Sequence, residues 1–285
     1  MQTAAYTNAY TPRMQANVAR GWVGDAGVMY WRVTLTSFEG VRIRGWYMTP
    51  AGEPPVHGWP ALLTVPGYSE TMNSLGQTLV RFGYAVLALF PRGQGESRAE
   101  WQLDRATKLT YHLTDRDRYY YRGAYLDCIR GIDFLYSRSE VDRERVGMFG
   151  ISQGGGLTLA TAALDSRVRA AVAWIPFLCN FPAAVDVTSA PYNELNTYVT
   201  EHPERREQVL ETLRWYDPLN LVDAIAAPTL VSIGGADVVC PEATVLSVFA
   251  RIRSRKTLIY LPGLEHGPSV EYAVETQQWL ERHLC

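Results

Sequence analysis

Apolar residues along the chain fall into short runs of two kinds. Val33 to Phe38 and Val41 to Met48 alternate apolar with polar and are joined through Glu39-Gly40, the pattern of an antiparallel hairpin. Ala61 to Val65, Ala85 to Phe90, Val146 to Ile151, Ala170 to Ile175, Thr229 to Ile233 and Thr257 to Leu261 are instead continuous apolar runs. Parallel strands covered on both faces have this character. Between them the period lengthens. Ser74 to Phe82 stops at Gly83, and Tyr119 to Ser137 places Ala124, Cys128, Ile132 and Leu135 on one stripe. Gly154 to Leu164, Pro241 to Ile252 and Ser269 to His283 read as helices by the same logic. A hairpin leading into βαβ units predicts a mostly parallel central sheet with helices on both faces.

Two stretches depart from this alternation. Residues 1–32 read as an irregular lead-in, and the catalytic domain is expected over 33–285. Residues 176–227 are too long for a connecting loop and carry a polar helix candidate at Glu204 to Arg214, so an inserted lid is expected there. No internal repeat or low-complexity segment stands out.

Composition narrows the class of partner. Of 285 residues, 47% are hydrophobic and 20% charged, which excludes disorder, collagen and coiled coil. Lys and Arg number 27 against 29 Asp and Glu, spread evenly, so there is neither a basic stripe for nucleic acid nor an acidic tail. Cys128, Cys179, Cys240 and Cys285 stand far apart without a CxxC pair, which suggests free thiols and no metal site. Met1 to Arg20 lacks the apolar core of a secretory signal, and no later run is long enough to span a bilayer. A cytoplasmic enzyme acting on a small or uncharged molecule is expected, with no cofactor, no nucleic acid and no membrane.

The sharpest chemical signal is Gly150-Ile151-Ser152-Gln153-Gly154, which follows an apolar strand and opens a helix of small residues. A GxSxG elbow requires this strand-to-helix context. Glycines flank the serine because the turn holds it in a strained conformation and a Cβ two positions away would clash. A serine hydroxyl needs a histidine to accept its proton and a carboxylate to fix the imidazole tautomer. Asp237 follows Thr229 to Ile233 through Gly234-Gly235-Ala236, and His266 follows Thr257 to Leu261 through Pro262-Gly263-Leu264-Glu265. Both then sit at the carboxyl edge of the sheet, in the chain order Ser, Asp, His. His202 beside Pro203 and His283 at the end of the last helix read as surface residues, and Asp217 and Asp223 as cap or turn residues. For the oxyanion hole, Gln153 supplies one backbone N–H and Tyr68, in Pro66-Gly67-Tyr68-Ser69, the other. Tyr68, Phe177 and Cys240 are expected to border the acyl pocket. Arg92-Gly93-Gln94-Gly95-Glu96-Ser97 lacks the Lys-Ser/Thr ending of a phosphate loop. It reads as a tight loop packed beside the elbow, with Arg92 buttressing carboxylates or carbonyls.

With Arg92-Gly93-Gln94, the GxSxG elbow, Asp237 and His266 together, the chain resembles the acetyl xylan esterase and cephalosporin C deacetylase family, carbohydrate esterase family seven of the α/β-hydrolase superfamily. Tyr119-Tyr120-Tyr121-Arg122-Gly123, Tyr125-Leu126-Asp127, Ile175-Pro176-Phe177-Leu178-Cys179, Tyr216-Asp217 and Cys240-Pro241 also read like family sequence. The resemblance implies an α/β-hydrolase fold, Ser152 as nucleophile, His266 as base, Asp237 as orienter, and an oxyanion hole of the Tyr68 and Gln153 N–H groups. It further implies removal of acetyl groups from small sugars and from an antibiotic side chain, by ring-shaped hexamers. The chain departs from the family pattern at Gly267, where members carry glutamate after the histidine, and in a shorter segment from Glu96 to Arg118. Triad and oxyanion hole do not define the leaving group. A broader esterase or peptidase is therefore the alternative, and a hydrolase-fold binding protein a third.

Overall fold

The computed structural model describes residues 15–19, 21–23, 27–69, 75–104 and 106–285. Their strands are β1 (Ala16–Val18), β2 (Trp22–Val23), β3 (Val28–Thr36), β4 (Arg42–Pro50), β5 (Trp59–Val65), β6 (Ala85–Phe90), β7 (Val141–Ile151), β8 (Ala170–Trp174), β9 (Thr229–Gly234) and β10 (Lys256–Leu261). They form one sheet in the order β1-β3-β4-β6-β5-β7-β8-β9-β10, with β2 paired to β3. The helices are α1 (Leu75–Arg81), α2 (Tyr120–Tyr136), α3 (Gln153–Leu164), α4 (Phe181–Ala184), α5 (Asn193–Glu201), α6 (Arg206–Arg214), α7 (Glu242–Arg251) and α8 (Val270–Leu284).

The hairpin and the continuous runs separate as their patterns require. β3 and β4 pair antiparallel, Val33 opposite Gly45, and β4 meets β6 antiparallel. From β6 onward every neighbouring pair is parallel. In β5 successive side chains point to opposite faces. Ala61, Leu63 and Val65 join the apolar cluster under α2 and α3, while Leu62 joins the cluster holding Tyr272, Trp279 and Leu280 of α8. The expected stripe Ala124, Cys128, Ile132 and Leu135 is wholly buried.

One expectation needs correction. The lead-in is not irregular where it is described: Ala16 to Val18 pair with Leu35 to Val33, Trp22 and Val23 pair with Tyr30 and Met29, and β3 begins at Val28. These strands lengthen the antiparallel side of the sheet. They are too short to show a period in sequence. The rest of the lead-in lies outside the described residues.

Between β8 and β9, residues 176–227 fold into α4, α5, α6 and short 3₁₀ turns. The helix expected from Glu204 begins at Arg206, after a 3₁₀ turn over Pro203–Arg205. Its polar face looks outward, while Val209 and Leu213, with Leu195 and Val199 of α5, enter the larger core cluster. This insertion therefore packs against the sheet's own helices.

Candidate active site

All the parallel strands end at one edge, so the loops that follow β5, β7, β9 and β10 converge there. Ser152 stands directly after β7, with φ 54° and ψ −119°. A non-glycine residue held at positive φ stores strain that surrounding structure must support. Here the Ser152 N–H donates to the Trp174 carbonyl at 2.9 Å, and its own carbonyl accepts from Gly156 at 3.1 Å and Phe177 at 2.9 Å. A Cβ on Gly150 would lie 2.2 Å from the carbonyl of Gly154, and one on Gly154 2.4 Å from the Val65 carbonyl. Only glycine fits either place. Ser152 occupies the N-cap of α3, yet its hydroxyl makes no capping bond.

The hydroxyl faces His266 instead. His266 Nε2 lies 3.1 Å from Ser152 Oγ, and Nδ1 lies 2.8 Å from Asp237 Oδ2. The Asp237 side chain is fully buried, whereas a quarter of the histidine side chain meets solvent. Oδ1 of Asp237 accepts from the N–H groups of Val239 and Cys240, each at 2.8 Å. The two loops are tied together through backbone: Gly235 donates to Leu261 at 2.9 Å and Ala236 to Leu264 at 3.0 Å. That stitching brings together residues 29 apart in sequence.

The segments that carry the two N–H groups expected to form the oxyanion hole are linked by a chain of side-chain amides. Gln153 is the first residue of α3, so no carbonyl four residues earlier in the helix takes its N–H. Its side chain is buried, with Oε1 accepting from the Tyr121 phenol at 3.0 Å and Nε2 donating to Gln94 Oε1 at 2.7 Å. Gln94 Nε2 passes the chain on to the Gly67 carbonyl at 2.8 Å. The peptide unit that carries the Tyr68 N–H is therefore held by its other end. Gly93 turns the loop at φ 70°, and Arg92 is anchored beneath it. The Arg92 guanidinium donates to both oxygens of Asp127, at 2.9 and 3.0 Å, and to the Phe38 carbonyl at 3.1 Å. Tyr121 and Asp127 stand in segments that read like family sequence, but the helical pattern there does not single out either one as a member of this support.

A cavity of about 570 Å³ opens above the serine. Its wall includes Tyr68, Ile175, Pro191, Val239, His266 and Gly267. Two expected wall residues, Phe177 and Cys240, are corrected here: neither lines the cavity and both are buried. The Phe177 ring lies behind the wall, 4.1 Å from Tyr192 and edge-on to Tyr68 at 5.7 Å. Cys240 sits beneath the triad. Its Sγ and the ligand atoms of Asp237 and His266 lie within 4.8 Å of one another, which could outline a metal site. Burial first, and the Asp237 charge second, push the Cys240 thiol well above its ordinary pKa. A Cβ at Gly267 would meet nothing within 4 Å, so the departure from the family pattern leaves open space in the wall.

The remaining candidates lie elsewhere. His202 ends α5 beside Tyr198, His283 packs on Trp279, and Asp223 pairs with Arg251. Asp217 accepts from the N–H groups of Asn180, Phe181 and Leu219. Two residues that the sequence did not mark lie against Tyr68. Its phenol donates to Glu194 of α5, and the Lys108 ammonium donates to its carbonyl at 2.6 Å. No local pattern distinguishes either one, since their meeting depends on segments far apart in the chain.

A serine, histidine and aspartate in line at the carboxyl edge of a mostly parallel sheet, beside an elbow of this geometry, define an α/β hydrolase. The chain belongs to the acetyl xylan esterase family: the match to Acetyl xylan esterase (AXE1) runs over residues 11–283. The acetyl xylan esterase from Paenibacillus sp. R4 superposes with a TM-score of 0.88 at 33% identity, covering 99% of this chain and 92% of that one. Acetyl xylan esterase 1 from Thermoanaerobacterium sp. JW/SL YS485 superposes at 0.87 with 28% identity and the same coverage. The acetyl esterase Axe7A of Xylanibacter ruminicola is 35% identical over 179 residues, 62% of this chain but 39% of that longer protein.

Proposed function

We propose that the protein is a serine esterase that hydrolyses acetyl esters through an acyl-enzyme. The observation that carries this reading is the line Ser152 Oγ, His266 Nε2, His266 Nδ1, Asp237 Oδ2, with gaps of 3.1 and 2.8 Å, at the foot of a cavity in a member of this family. Ser152 attacks the carbonyl carbon while His266 takes its proton. The N–H groups of Tyr68 and Gln153 hold the developing oxyanion. The imidazolium, stabilised by Asp237, returns the proton to the departing alcohol. Water then enters, loses its proton to His266 and releases acetate.

Residues 176–227 act as a lid on this reading, since Ala190 and Pro191 form part of the cavity wall. Acetylated small sugars and an acetylated antibiotic side chain are the substrates that the family resemblance suggests, and a homo-oligomer is the form it suggests. Light scattering on the purified protein tests the latter. The activity is tested with acetate, butyrate and hexanoate esters of one alcohol. If the acyl methyl is held against the packed wall beside the elbow, each extra methylene would have to displace side chains there at about 1–3 kcal/mol, so on this reading kcat/KM should fall at least about tenfold from acetate to butyrate. Equal or better hydrolysis of the longer esters would reject acetyl preference and favour the broader esterase.

A further inference from the structure

Lys108 lies between β6 and α2, is 6% exposed and does not line the cavity. An ammonium taken out of water is costly unless it is well bonded. Its hydrogen bond and its ring contact go to one residue of the site: Nζ donates to the Tyr68 carbonyl at 2.6 Å and stands 4.2 Å from the centre of the Tyr68 ring. The same tyrosine is gripped from two other directions. Its phenol donates to Glu194 of the insertion, and the preceding carbonyl, Gly67, accepts from Gln94 at 2.8 Å. The N–H expected to face the oxyanion belongs to the peptide unit between Gly67 and Tyr68. Fixing the carbonyls on both sides of Tyr68, and the tip of its side chain, leaves that N–H one direction.

We infer that Lys108 is a positioning residue for the oxyanion hole, clamping Tyr68 so that its N–H is aimed before substrate arrives. The inference rests on the esterase reading above. A donor aimed in advance stabilises the transition state without reorganisation at the moment of reaction, whereas a loop free to turn must be ordered each time. A charge-assisted bond is the stronger kind for this purpose. The groups facing the ammonium are Tyr68 on the β5 loop, Arg98 in the turn after β6, and Glu194 on α5. Burial first, and Arg98 second, pull its pKa down to about 8, with Glu194 opposing. The clamp is therefore charged at neutral pH and loses its charge on the alkaline side.

The test compares Lys108→Met, Lys108→Arg and Ser152→Ala with the parent protein on an aryl acetate across pH. Affinity for an aryl boronic acid, which forms a tetrahedral adduct on the serine, is measured alongside. Lys108→Met should lower kcat at least about tenfold while KM moves less than about threefold, the signature of an interaction made in the transition state. Boronate affinity should fall in step; the parent should lose kcat on the alkaline side as the ammonium deprotonates near pH 8, and Lys108→Met should show no such loss. Lys108→Arg should restore part of kcat and move the alkaline limb upward. Wild-type kcat and boronate affinity in Lys108→Met overturn the inference, as does a loss confined to KM. Should Lys108→Met not fold, the parent and Lys108→Arg decide: no alkaline limb in the parent, or an unmoved limb in Lys108→Arg, overturns it. An active Ser152→Ala defeats the esterase reading itself; an inert Ser152→Ala beside an unaffected Lys108→Met defeats the clamp alone.

Discussion

Asp237→Asn replaces one oxygen by nitrogen and should lower kcat by about 10⁴. The two oxygens of Asp237 have separate duties. Oδ1 accepts the N–H groups of Val239 and Cys240 at 2.8 Å each, and Oδ2 faces His266 Nδ1 at 2.8 Å. An amide has one accepting end and one donating end. With its nitrogen in the place of Oδ1, two N–H groups would face a donor, at a cost of about 1–3 kcal/mol each. With its nitrogen in the place of Oδ2, both loop bonds survive. The second orientation wins by roughly 2–6 kcal/mol, so the NH₂ group meets Nδ1 and forces it to accept. The imidazole proton then sits on Nε2, pointing at Ser152 Oγ across 3.1 Å, where it cannot take the serine proton. Thermal stability should change little, because the loop bonds are kept, and KM should stay within a few-fold of the parent. The assay is steady-state hydrolysis of an aryl acetate by the purified variant, with Asp223→Asn as control, a carboxylate paired with Arg251 away from the cavity. Near-normal turnover in Asp237→Asn, or an equal collapse in Asp223→Asn, would refute the division of duties.

Ser152→Ala should lose about 10⁶ in kcat while keeping its fold, and an organophosphate should label Ser152 alone in the parent, as mass spectrometry would show. Labelling of a different serine would reassign the nucleophile. Gly154→Ala should destabilise by about 1–3 kcal/mol or more, because the new Cβ would stand 2.4 Å from a backbone carbonyl; denaturant midpoints matching the parent would contradict that geometry. For Lys108, the folded-state pKa lies below the unfolded value, so the unfolded chain binds more protons between about pH 8 and 10.5, and this residue adds stability as pH rises through that window. The stability difference between parent and Lys108→Met should therefore shift in the parent's favour from neutral to alkaline pH, and parallel denaturation curves at both ends would count against a buried ammonium.

Much of this protein is legible in its sequence, and the reason is locality. Period-two alternation on either side of Glu39-Gly40 marks the hairpin, and continuous apolar runs mark strands covered on both faces. The elbow is legible because its strain is local: Gly150 and Gly154 are dictated by a turn that Ser152 itself makes. Asp237 and His266 are legible as strand-end residues because chain order and topology place them on one edge. What sequence missed follows from distance along the chain. β1 and β2 exist only because β3 offers them an edge, so three residues and two residues suffice there without any periodic pattern. Phe177 and Cys240 lie next to residues of the site in sequence terms, and only packing decides that their side chains end behind the cavity wall while Ile175, Pro191 and Val239 form it.

Sequence determined the class of fold, the elbow and the order of the candidate triad, since these depend on periodicity, turn chemistry and the topology that βαβ units allow. Tertiary structure alone decided how the elbow's partners are held. Gln94 and Gln153 meet across 59 residues, Lys108 reaches Tyr68 across 40, and Tyr68 reaches Glu194 across 126. A hydrogen bond between such positions carries no period and no local preference in the chain. It forms because the folded sheet brings its loops to one edge, where buried polar groups must find partners in one another.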